Sequence, residues 1–74
     1  MARVSVEAEV GGVVSRIARR AGERVARDEP IMFVELMKME IPIVAPIDGT
    51  VVEVRVDVGE VVVEGQKVAS VDSD

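Results

Sequence analysis

The chain is one pattern written twice. Sliding its 74 residues against themselves by 37 places sets Ala8 on Ala45, Gly12 on Gly49, Val14 on Val51, Gly22 on Gly59, Glu23 on Glu60 and Val25 on Val62. Conservative matches follow at Val10 with Ile47, Ile17 with Val54, Ile31 with Val68, Val34 with Val71 and Glu35 with Asp72. Duplication at this length confines the chain to two equivalent sets of elements about a pseudo-two-fold axis.

Valine and isoleucine dominate the apolar residues and Phe33 is the sole aromatic, which is β composition. Each half reads as a strand, a turn at a glycine, a second strand, a Gly-Glu turn, a short strand and a last strand. The clearest strand alternates Val52, Val54, Val56 and Val58 with Glu53, Arg55 and Asp57, burying one face and wetting the other. Its counterpart carries Ser15, Ile17, Arg19 and Ala21. Gly12 and Gly49, each at the head of a strand, are expected to supply turn geometry that a side chain would obstruct. Gly22-Glu23 and Gly59-Glu60 mark sharp turns into the short strands Arg24 to Ala26 and Val61 to Val63. Pro30, Pro42 and Pro46 fall at strand starts or edges, where a missing donor is tolerated. With no cysteine for a staple and no histidine for an ordinary zinc site, the fold must close on its own sheets. The expectation is all-β: residues 1–74 as one domain, with two matching four-stranded antiparallel sets packed face to face as a sandwich or flattened barrel.

The two halves meet at Glu35-Leu36-Met37-Lys38-Met39-Glu40, between the β-forming runs Ile31 to Val34 and Ile41 to Val44. A hairpin is expected here, centred on Met37 and Lys38. It lacks the Asn, Asp or Gly that a tight two-residue turn favours. A local rule broken in an otherwise consistent sequence points to function, and exposed methionines flanking a lysine suggest a contact surface. In a duplicated sandwich the hairpin projects at one end and the chain termini lie together at the other. Glu35 and Glu40 nearby, together with exposure, keep Lys38 charged, so it is a poor catalyst but a well-placed acyl acceptor.

Charge narrows the partners. A net charge of −5 argues against nucleic acid. Arg16, Arg19, Arg20, Arg24 and Arg27 crowd one part of the first half, read as a solvated loop and strand edge or as a docking surface for an acidic partner. No apolar run approaches the length of a membrane span and the N-terminal residues lack a signal-peptide core, so a cytoplasmic protein is expected. No glycine spacing cradles a nucleotide, and no metal site is expected.

These residues resemble the biotinyl, or biotin carboxyl carrier, domain of biotin-dependent carboxylases, in the superfamily that also holds lipoyl domains. The resemblance rests on Glu35 through Glu40, on Ala45-Pro46-x-x-Gly49, and on Gly59-Glu60 with Gly65. The family motif is usually Ala-Met-Lys-Met or Ser-Met-Lys-Met after Glu, so Met37, Lys38 and Met39 match and Leu36 departs. It implies a flattened barrel of two four-stranded antiparallel sheets. It also implies that biotin protein ligase joins biotin to Lys38 by an amide, with Met37 and Met39 read by ligase and carboxylase. The carried carboxyl group would pass from a biotin carboxylase to a carboxyltransferase, usually onto an acyl-CoA, with no step catalysed by the carrier. Lysine plus the valeryl chain is about ten bonds, a reach of roughly 12 Å. Some bacterial carriers insert a thumb between the second and third strands, and Ala18 to Gly22 leaves no space for one. The chain thus looks like the free-standing biotin/lipoyl attachment proteins of bacteria. The paired methionines favour biotin over lipoate. A lipoyl carrier and an unmodified barrel acting as a binding module are the alternatives.

Overall fold

A computed structural model describes residues 2–74. Eight strands follow one another: β1 Arg3–Glu7, β2 Gly12–Ile17, β3 Arg24–Val25, β4 Pro30–Leu36, β5 Met39–Val44, β6 Gly49–Val54, β7 Val61–Val62 and β8 Lys67–Ser73. They form two antiparallel four-stranded sheets, ordered β1-β8-β6-β3 and β5-β4-β2-β7. The all-β fold of two such sheets agrees with expectation, as an open sandwich rather than a closed barrel.

The halves are interleaved, however, and do not form one sheet each. Either sheet takes two strands from each half, and the 37-residue shift carries β1, β3, β6 and β8 onto β5, β7, β2 and β4. The pseudo-two-fold axis therefore exchanges the sheets. Backbone hydrogen bonds repeat with it. Gly22 N–H donates to Val51 O at 2.7 Å as Gly59 N–H donates to Val14 O at 2.8 Å, and Asp28 N–H donates to Ala45 O as Gly65 N–H donates to Ala8 O. The core pairs up in the same way: Val14 with Val51, Val34 with Val71, Ile31 with Val68 and Val25 with Val62 are all buried. Burial of each such side chain contributes about 1.5–3 kcal/mol, which is how a chain with no disulfide holds two small sheets together.

Three local expectations change. The strand read as Val52 to Val58 ends at Val54, because the chain leaves its sheet at Arg55 and crosses to the other. Val56 is buried in that crossing, while Val58 is exposed. A bulge at Val52 also shifts the alternation. Gly12 and Gly49 do head β2 and β6, but neither has a positive φ. The requirement is close approach: a Cβ on Gly49 would overlap the carbonyl oxygen of Asp72, and one on Gly12 the carbonyl oxygen of Glu35. β3 and β7 are each one residue shorter than the runs expected for them.

The fold places its ends as the duplication implies. Ala2 N–H donates to Ser73 Oγ and Ser73 N–H to Ala2 O, both at 2.8 Å, holding the two ends of the described chain together. The β4–β5 hairpin lies at the opposite end of a molecule 36 Å long and 18 Å across. No helix among the described residues is long and apolar enough to cross a membrane.

Candidate functional site

Six ladder positions, from Pro30 opposite Val44 to Leu36 opposite Met39, join β4 to β5. Closing the ladder at Leu36 and Met39 leaves only Met37 and Lys38 to reverse the chain. Their φ angles are 53° and 64°. Positive φ at both central residues is the signature of a type I′ turn, whose twist suits a hairpin but whose usual occupants are Asn and Gly. Strong strands on both sides thus force two ordinary side chains into a left-handed conformation that costs each about 1–2 kcal/mol. The turn expected from sequence is present, and its conformation is the costly one.

The strain has a geometric result. Met37 is 85% exposed and Met39 65%, and Lys38 between them is exposed at the tip. Among the described residues Lys38 has no ion pair within 4.0 Å, although Arg3, Arg16, Arg19, Arg24, Arg55 and Lys67 each have one. The Lys38 amine thus stands open to solvent at the tip, with neither burial nor a described cation beside it.

Glu40 behaves differently from the sequence reading, which set it beside Lys38. Its carboxylate accepts from Arg16 Nη2 at 3.1 Å and from Ser15 Oγ at 3.0 Å. The Arg16 guanidinium also lies 4.0 Å above the centre of the Phe33 ring, a cation–π contact. A bulge in β2 between Val14 and Arg16 turns both Ser15 and Arg16 toward Glu40. The hydrogen bond from Arg16, then that from Ser15, holds the Glu40 pKa below the usual glutamate range. This clamp braces the base of the hairpin on the outer face of its sheet. Sequence reasoning missed it because Ser15, Arg16, Phe33 and Glu40 meet only through the register of three strands; the lone aromatic was the one available clue.

Other candidate chemistry is sparse. Among the described residues no group of three or more His, Cys, Asp or Glu could hold a metal ion. A cavity of about 390 Å³, lined by Arg24, Glu29, Asp48 and Asp74 among others, lies at the end away from Lys38. The basic cluster does not form one surface of free charge: Arg16, Arg19 and Arg24 are paired with Glu40, Glu29 and Asp74.

Comparison with known proteins is consistent across sequence and fold. Residues 2–71 match the family described as "Biotin-requiring enzyme". The chain is 34% identical over 64 residues to a "Biotinylated protein TB7.3 homolog" of Mycobacterium leprae, covering 86% of this chain and 90% of that protein. It is 36% identical over 62 residues to a "Biotin/lipoyl attachment protein" of Bacillus subtilis, covering 84% and 85%. A single-chain, multi-domain long-chain acyl-CoA carboxylase superposes with a TM-score of 0.88 at 25% identity, over 97% of this chain and 7% of that one. The lipoyl domain of the 2-oxoglutarate dehydrogenase complex from Azotobacter vinelandii superposes with a TM-score of 0.71 at 24% identity, over 92% and 96%, a likeness of fold.

Proposed function

The chain belongs to the biotin-requiring enzyme family, and from that premise we propose that residues 1–74 act as one biotin carboxyl carrier domain with Lys38 as the attachment residue. The observation that carries the reading is the turn itself. A type I′ turn built from Met37 and Lys38 holds an unpaired amine at the tip of the molecule, at a conformational cost that Asn-Gly would avoid. Relatives of similar length bear biotin or attachment in their names, and carboxylases contain domains of the same fold.

Lys38 Nζ would form an amide with the biotin carboxyl group, delivered as the adenylate by biotin protein ligase, with the acyl–phosphate bond breaking, AMP leaving and the two protons lost from the ammonium group passing to solvent or to the departing phosphate. When bound, biotin supplies a ureido nitrogen able to carry a carboxyl group between a biotin carboxylase and a carboxyltransferase. The chain's own work is mechanical and non-catalytic. The strands and the Arg16–Glu40 clamp fix the hairpin, Met37 and Met39 offer apolar contact beside the amine, and the arm adds roughly 12 Å of reach. Such tethering raises the effective concentration of the carried group at each active site. The working compartment is the cytoplasm, and neither nucleic acid nor membrane is a partner.

Intact mass after incubation with biotin protein ligase, ATP and biotin tests the proposal. The expected result is a gain of one biotin less one water, absent in Lys38→Arg, whose guanidinium does not take the acyl group. A gain that persists in Lys38→Arg would move the site, with Lys67 the other lysine available. A gain only in a parallel reaction with lipoate ligase and lipoate would make the chain a lipoyl carrier.

A further inference from the structure

Three of the four methionines, Met32, Met37 and Met39, lie among the described residues, and the fold treats them oppositely. Met32 is fully buried in β4, whereas Met37 and Met39, further along the same hairpin, are 85% and 65% exposed. A thioether is soft, polarisable and open to oxygen transfer, so exposure decides which of the three an oxidant reaches. The hairpin carries its own buried control.

Neither the turn nor the packing accounts for the two exposed sulfurs. Met37 is held at a φ of 53°, a conformation that Asn or Gly would adopt at less cost. Met39 closes the ladder opposite Leu36, so its backbone is fixed while its side chain stays in solvent. Between them Lys38 has no ion pair among the described residues. The tip is therefore a thioether, an unpaired ammonium and a second thioether in succession.

A peroxide converts such a sulfur to a sulfoxide. The sulfur lone pair attacks one peroxide oxygen, the O–O bond breaks as the S–O bond forms, and the proton on the transferred oxygen passes to the departing hydroxide, which leaves as water. Sulfur loses two electrons and the peroxide gains them. The product bears a strong acceptor oxygen on a side chain that was apolar. At Met37 and Met39 this removes apolar contact on both sides of the amine and offers acceptors to an ammonium group with three donors. Lys38 itself is chemically unaltered.

We propose that Met37 and Met39 form a reversible oxidation site for peroxides, and that sulfoxides there switch off acylation of Lys38 while the fold stays intact. The proposal rests on the carrier reading. Buried Met32 is spared, so the sandwich survives the oxidant that silences its tip. Enzymatic reduction of the sulfoxides returns the thioethers and restores the carrier.

The test treats the whole chain with hydrogen peroxide, removes the oxidant, maps the product by peptide mass and then measures steady-state biotinylation by biotin protein ligase. Sulfoxide should appear at Met37 and Met39 ahead of Met32, with the cooperative unfolding transition retained. The kcat/KM for the carrier should fall about tenfold, as for one apolar side chain lost from a contact, and recover after treatment with methionine sulfoxide reductase. Met37→Leu with Met39→Leu keeps Met1 and Met32 but has no thioether at the tip, so its own rate should be the same before and after peroxide. An oxidised wild type charged as fast as the untreated chain overturns the switch, as does a variant that loses rate with peroxide in equal measure. Met32 oxidised in step with Met37 overturns the selectivity. An untreated wild-type chain that gains no biotin removes the carrier reading and the switch with it, a failure told apart from the others because it occurs without peroxide.

Discussion

Arg16 holds Glu40 from two strands away, reaching across Phe33 on the intervening strand to place Nη2 3.1 Å from Oε1. The arginine thereby ties the first half of the chain to the outer strand of the hairpin.

This pairing gives the hairpin a defined dependence on pH. The Glu40 pKa is lower in the folded protein than in the unfolded chain, first through Arg16 and then through Ser15. A lowered folded-state pKa contributes stability that is complete above the ordinary glutamate value and is lost as pH falls through the lowered one. The urea midpoint of Arg16→Gln should therefore lie below that of wild type at neutral pH and converge with it on acidification. An NMR titration should show the Glu40 pKa rising toward the usual range in the variant. An unmoved Glu40 titration would mean that the clamp does not form in solution.

The hairpin trades stability for presentation. Replacing Met37 by Asn and Lys38 by Gly gives the turn its preferred residues and should stabilise the domain by about 1–2 kcal/mol. At this chain length each kcal/mol corresponds to roughly 4–8 °C in Tm. The same double variant should accept no biotin. Calorimetry beside the ligase assay measures both halves of the trade, and a Tm at or below wild type would contradict the cost assigned to the turn.

Two glycines should respond to substitution for different reasons. Gly49→Val drives a side chain into the backbone of β8 at Asp72 and should cost about 3 kcal/mol or more. Gly22 has a φ of 93° and open space around its Cα, so Gly22→Ala should cost only the conformational penalty, about 1–2 kcal/mol. Chemical denaturation distinguishes them, and a loss at Gly49 no larger than that at Gly22 would mean that β8 yields to the added side chain and that close approach is not the requirement.

Much of this was legible in the residues because it is periodic or repeated. The 37-residue repeat gave the strand count and the placement of the hairpin opposite the chain ends, and the missing Asn-Gly marked the turn at Met37 and Lys38. What could not be read depends on register. A repeat says that two halves are alike without saying which strands pair, so the exchange of sheets by the axis was hidden. The same applies to the Gly49 contact with Asp72 and to the meeting of Ser15, Arg16 and Glu40 across three strands. The end of β6 was misread because Val56 is apolar for the sake of a crossing between sheets, and alternation alone cannot separate a crossing from a strand.

Interleaving also bears on when the lysine becomes available during synthesis. A ribosome that has made only the first half has supplied two strands of each sheet and finished neither. β4 has β2 beside it at that stage, but its inner face lacks the β6 and β8 strands that will cover it. An enzyme that reads the finished shape around Lys38 therefore meets its substrate only after the second half has emerged and folded. On the proposed carrier reading, an incomplete chain therefore offers such an enzyme no finished surface around the lysine.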